Sequence, residues 1–114
     1  MGMTPEMITI DCADPQALAA WWAKALDVKE TKDYDDFVVL SATPLVIGFQ
    51  RVPEPKAVKN RVHIDFTSAD RAADVERLVK LGASVVSEQT MKGLTWTILK
   101  DPEGNEFCVE GGEH

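Results

Sequence analysis

Polar and apolar residues alternate from Met7 to Asp14 (MITIDCAD) and again from His63 to Asp70 (HIDFTSAD). Alternation with a period of two predicts a half-buried strand, and the aspartate closing each segment is a helix N-cap residue, so both segments read as a strand passing into a helix. After Asp14, Pro15 suits a first helical turn, and Leu18, Trp21, Trp22, Ala25 and Leu26 recur at helical spacing. After Asp70, the stripe is Val75, Leu78, Val79 and Gly82. Gly82 ends the helix before Ala83 resumes as strand, and Glu76 and Lys80 form an exposed pair one turn apart. Three strand candidates follow each helix: Val28 to Asp33, Phe37 to Ala42 and Leu45 to Gln50, then Ala83 to Gln89, Leu94 to Lys100 and Asn105 to Glu110. Turn residues separate them at Tyr34-Asp35-Asp36, Thr43-Pro44, Lys92-Gly93 and Asp101-Pro102-Glu103-Gly104.

The order strand, helix, strand, strand, strand therefore occurs twice, over residues 4–52 and 61–110, with PEPKAVKN (53–60) as the linker within a single domain spanning 1–114. A repeated strand-helix unit cannot bury its sheet alone, so the two copies are expected to pair. The predicted fold class is α+β, two βαβββ modules forming a curved eight-stranded cup whose inner face is free for a ligand.

The alternation also says which residues face the cup. With Met7 and His63 inward, Thr9, Asp11, Asp65 and Thr67 follow, while Ile8, Ile10, Ile64 and Phe66 turn to the helices. The cup face is polar, as a solvated cleft requires. Asp11 and Asp65 have an equally simple reading as structural hydrogen-bonding groups. The first module starts with methionine where the second has histidine, so a site needing matched ligands from both has lost one.

Composition narrows the function classes. At 114 residues and 45% hydrophobic content, the chain is large enough for one core without disulfides. A net charge of -7 disfavours nucleic acid. The basic cluster Lys56, Lys59 and Arg61 lies in or beside the linker and reads as a solvated segment. Apolar runs are too short to span a bilayer and no charged-then-apolar leader precedes the first strand, so no membrane association and a cytoplasmic location are expected. Cys12 and Cys108 lie in predicted strands and read as small buried hydrophobes, not as a disulfide.

The repeat, the aspartate after each opening strand, Trp21-Trp22 in the first helix and DPEGNEF (101–107) before the last strand together resemble the vicinal oxygen chelate superfamily, specifically its glyoxalase-like and bleomycin-resistance-like domains. FQRVPEPKAVKNRVHIDF (49–66) resembles the joining segment of the small glyoxalase-like branch. The resemblance implies four metal-ligand positions, which fall here on Met7, Gly48, His63 and Cys108. Of these, His63 is a comfortable ligand, Cys108 could serve as a thiolate, Met7 is a soft thioether and Gly48 has no side chain.

The expected function is therefore binding or sequestration of a small organic molecule by a glyoxalase-like protein with a degenerate metal site and no cofactor, an arrangement compatible with a homodimer. Its ligand-binding candidates are Met7, Thr9, Asp11, Gly48, His63, Asp65, Trp96, Glu106, Cys108 and Glu110. His63 beside Asp65, Glu106 or Glu110 is also the catalytic candidate, as an acid-base pair, against a plain structural histidine. Cys108 as a nucleophile would need His63 close by. Trp96 is the candidate wall of the cup, with core as the simpler reading; Trp21 and Trp22 read as core or subunit contact. The rival is a lyase, isomerase or dioxygenase using zinc, nickel or manganese held by His63 with Glu106 or Glu110, which alternation places on the face of Cys108. A third reading, a protein-association domain, predicts a filled cup and an exposed apolar face.

Overall fold

The computed structural model describes residues 2–111. The chain forms two compact units that part between Pro55 and Lys56, and in each a strand, a helix and three more strands follow in order. The first unit holds β1 (Met7–Cys12), α1 (Pro15–Leu26), β2 (Thr31–Asp33), β3 (Phe37–Leu40) and β4 (Val46–Arg51); the second holds β5 (Ile64–Thr67), α2 (Arg71–Leu81), β6 (Ser84–Met91), β7 (Leu94–Lys100) and β8 (Glu106–Glu110). Each unit is a four-stranded sheet, ordered β1-β4-β3-β2 and β5-β8-β7-β6. The expected α+β class and doubled βαβββ order are those of the structure.

Each sheet places its first strand, in parallel, beside its last. β1 pairs with β4 so that Thr9 faces Gly48, and β5 pairs with β8 so that Asp65 faces Cys108; the remaining pairings are antiparallel. Capping starts both helices as expected. The carboxylates of Asp14 and Asp70 each accept the amide three residues on, from Ala17 and Ala73, and so satisfy a donor that the first turn leaves open. In the first unit α1 buries Leu18, Trp22 and Ala25 against a core containing Leu40 and Phe49, with α1 packed on β3 and β4. Complete burial of a side chain such as Leu18 or Phe49 contributes about 1.5–3 kcal/mol. Trp21 is half-buried and meets Trp22 edge-on at 5.0 Å.

The strand expected from Val28 is only Thr31–Asp33. Asp27 takes a left-handed conformation and its amide donates to the carbonyls of Ala23 and Lys24, while the amide of Val28 donates to Ala23. The helix thus uses Val28 for its own closure. A second correction concerns α2. Helical spacing puts Val79 on one stripe with Leu78, yet Val79 is 44% exposed whereas Leu78 is buried. At about 100° per residue, positions 71, 75 and 78 share the inner face and 79 falls at its edge. The inner-face residue at 71 is an arginine, buried, whose Nη1 donates to Thr97 Oγ1 at 2.7 Å and pairs with Glu88 at 2.8 Å. Glu76 and Lys80 lie 3.8 Å apart on the outer face.

Two turns fix how the second sheet is threaded. Lys92 and Gly93 both have positive φ and join β6 to β7 as a two-residue hairpin that runs β6 on to Met91, the handedness that matches strand twist. Asp101, buried, accepts the amides of Glu103 and Asn105 at Oδ1, and Asn105 also donates its side-chain amide to both carboxylate oxygens. The DPEGN segment is thus a carboxylate-centred turn that launches β8 beside β5. Both cysteines are buried and neither is in a disulfide. No helix among the described residues is long and apolar enough to cross a membrane.

Candidate functional site

Exposure along the first strands follows the alternation. Met7, Thr9 and Asp11 on β1, like Asp65 and Thr67 on β5 and His63 just before it, are exposed; Ile8, Ile10, Ile64 and Phe66 are half-buried. On the apolar side of the second sheet Phe66 meets Phe107 edge-on at 5.9 Å, a contact that holds β5 and β8 in register and so keeps Asp65 and Cys108 together on the opposite face.

There, three candidate groups converge. His63 Nδ1 is 3.0 Å from Asp65 Oδ1 and 3.9 Å from Cys108 Sγ, and the ligating atoms of the three residues lie within 4.8 Å of one another. The imidazole and carboxylate are 45% and 54% exposed, so their pairing contributes little to stability, about 0–1 kcal/mol, and both can reach a ligand. The thiol beneath them is 7% exposed. Burial, and then its hydrogen bond to the Asp65 carboxylate and that group's negative charge, push it up to about 11. Cys108 is therefore a neutral thiol at physiological pH, and carboxylate and thiol approach the same ring nitrogen. A nucleophilic arrangement needs a thiolate and uses the two imidazole nitrogens separately; this geometry supplies neither.

The remaining candidates of the second unit lie on the same face with different partners. Glu106 is clamped by Lys59, Nζ to Oε1 at 2.7 Å, and the hydrogen bond and charge of that ammonium hold its carboxyl below the usual value. Asn60 Nδ2 donates to the Glu106 carbonyl at 3.4 Å. The residue read as part of a solvated linker is thus tied to β8, and Glu106 stands outside the His63 group. Glu110, half-buried, faces Thr67 on one side and Trp96 on the other. Trp96 is half-buried and shares its face with Ile98 and Cys108.

In the first unit the equivalent position is filled by hydrocarbon. A Cβ at Gly48 would come within 2.7 and 2.9 Å of two Phe37 ring carbons and 3.2 Å of Met7 Sδ. Phe37 and Met7 therefore occupy the place where a donor side chain would sit. The four-donor metal arrangement implied by the resemblance does not fit these residues, since the first unit offers only a thioether. Phe37 and Lys59 were the functional neighbours that sequence reasoning missed. The signal for Phe37 was Gly48 itself, because glycine inside a strand marks close approach of another group.

The sequence profile described as a glyoxalase-like domain matches residues 7–110. Among curated proteins none matches. Among solved structures, a glyoxalase/bleomycin resistance protein/dioxygenase family enzyme from Burkholderia phytofirmans is 19% identical, with 92% of this chain and 95% of that one covered at a TM-score of 0.72. A glyoxalase-related enzyme from Fulvimarina pelagi is 13% identical over 94% and 86% at 0.76. The fosfomycin resistance protein FosX from Mesorhizobium loti is 16% identical over 99% and 94% at 0.74. At such identities the likeness is one of fold.

Two outcomes follow from this geometry. Gly48→Ala forces Phe37 to move and should lower stability by about 1–3 kcal/mol, but by markedly less in a Phe37→Ala background; an equal loss in both backgrounds, read by urea unfolding, contradicts the packing described. For Cys108, the folded chain holds the thiol proton more tightly than the unfolded chain, whose ordinary value is 9.0. Its contribution to stability is thus fully present below about pH 9 and lost as pH rises toward about 11. With chelator present, alkylation of Cys108 followed by peptide mass spectrometry should be about a hundredfold slower than in denaturant at pH 7–8. The rate should rise tenfold per pH unit up to pH 9, and a plateau near pH 7 contradicts the raised value.

Proposed function

Since the chain belongs to the glyoxalase-like domain family, and its first unit carries hydrocarbon where a donor is required, we propose that it binds a small organic molecule without a metal shared between the units. The observation that carries this reading is the exposed His63–Asp65 pair on the strand face of the second unit that also carries Ile98 and Trp96. The carboxylate accepts and the imidazole either accepts or donates, so the pair suits a polar group on the ligand. Ile98, across Cys108 from Asp65, and Trp96 further along the same face supply apolar area, and a mixture of apolar surface with a few convergent polar groups is what small-molecule sites require. Sequestration needs no more than this.

Fold does not choose between binding and catalysis, since a fosfomycin resistance protein and an oxidase both have it. An enzymatic reading draws support from the same 3.0 Å pair, which could move a proton on a bound substrate. The two readings share a ligand site and differ in whether the ligand is returned unchanged.

The test is a thermal-shift and calorimetric screen of small polar aromatic compounds against chelator-treated protein, with mass spectrometry of the recovered compound. A compound bound in chelator should lose about 10–100-fold in affinity in Asp65→Asn and in His63→Ala, the size expected for a charge-assisted hydrogen bond, and be recovered intact. Binding that needs added metal, or that ignores both substitutions, refutes the reading. A chemically altered compound favours the enzyme.

A further inference from the structure

β7 presents Lys100, Ile98, Trp96 and Leu94 in turn on the strand face that carries Cys108, one every two residues and so about 7 Å apart. That face therefore changes character along its length. Ile98 and Trp96 are half-buried, and beyond them Leu94 pairs with Met91 across the hairpin with both side chains exposed. At the other end Lys100 stands opposite Glu106, a pairing that sets the two Cβ atoms about 4.5–5.5 Å apart. Lys59 Nζ is 2.7 Å from Glu106 Oε1, and the stem of Lys56 runs beside Gly104, its Cγ 3.7 Å from where a Cβ would stand. All three ammonium groups act on the Glu106 carboxylate. One carboxylate against three ammonium groups leaves this rim positive, on a chain whose net charge is -7. Lys59 and Lys100 are exposed, and Glu106 takes only one of the three N–H donors of Lys59.

We infer that the ligand of this face is an amphipathic organic carboxylate, its acid group held between Lys59 and Lys100 and its apolar body laid along Ile98 toward Trp96. The inference rests on the proposed function and narrows its ligand to a chemical class. Lys59 already holds one carboxylate, that of Glu106, and the same donors suit a second.

Charge fixes the orientation. Asp65 lies in the row of Ile98 and Cys108, and Glu110 in the row of Trp96, so an acid group placed anywhere but the rim meets a like charge. The apolar body then falls where the face is apolar. Each exposed ammonium contributes modestly, so the preference for an anion comes from Lys59 and Lys100 acting together and weakens as salt screens them. Glu106 competes with the ligand for Lys59 and so lowers its affinity.

Calorimetric titration of the chelator-treated full chain with octanoate and with its neutral counterpart, octanamide, tests this. At low salt octanoate should bind about tenfold tighter than octanamide, and the preference should shrink as the Debye length falls from about 30 Å to about 3 Å. Butanoate, too short to reach past Ile98, should bind at least about tenfold more weakly than octanoate. Lys100→Gln should weaken octanoate about threefold to fivefold and leave octanamide unchanged. Glu106→Gln should strengthen octanoate by a similar factor, a gain that a merely structural glutamate does not give. If Glu106→Gln fails to fold, Lys100→Gln decides, since that side chain is exposed. No binding of octanoate, equal affinity for both probes, a preference indifferent to salt, equal loss of both probes in Lys100→Gln, or weaker octanoate binding in folded Glu106→Gln each overturn the inference. The proposed function is scored on Asp65→Asn and His63→Ala with the compounds of its own screen, so its failure is distinguishable from this one.

Discussion

The parallel pairing of the first strand of each unit with its last is the constraint on which the site depends. In the second unit it brings His63 and Cys108, 45 residues apart in the chain, to 3.9 Å. A slip of one residue between β5 and β8 would turn Asp65 toward the apolar face and Phe66 toward water. Two features oppose that slip. Phe66 and Phe107 meet edge-on behind the site, and Asp101 organises the turn that feeds β8 through three backbone and side-chain donors on its Oδ1. The residues that make the site legible as chemistry are therefore held by residues that carry none.

One scaffold supports two different surfaces. In the first unit the register sets Thr9 across from Gly48, and Phe37 and Met7 close over the glycine. In the second it sets Asp65 across from Cys108, and the exposed imidazole and carboxylate stand over a buried thiol. Equivalent positions have thus become hydrocarbon on one side and a donor cluster on the other. The burial that keeps Cys108 protonated also keeps it from acting as a nucleophile, and in the proposed function recognition falls to the exposed pair above it.

Local pattern revealed much of this and long-range pairing supplied the remainder. Period-two alternation identified which residues of β1 and β5 are exposed, and aspartate caps with helical spacing located both helices. Val28 was misread because its apolar character suits a strand equally well, and only the left-handed Asp27 shows the helix closing on it. Arg71 was missed because an arginine on an inner helical face depends on partners, Thr97 and Glu88, that sequence spacing does not bring near. Phe37 over Gly48 and Lys59 on Glu106 likewise depend on register between distant segments. Alternation pointed to Asp65 and the resemblance to Cys108, but their convergence on His63 Nδ1 required the fold.

The central claim is that polar recognition belongs to the second unit. Mapping amide shifts by two-dimensional NMR, on labelled protein in chelator with a bound organic compound, tests it most directly. The largest changes should fall on His63, Asp65, Thr67, Trp96, Cys108 and Glu110. Largest changes at Met7, Thr9 and Gly48, with His63 and Asp65 unmoved, would contradict it.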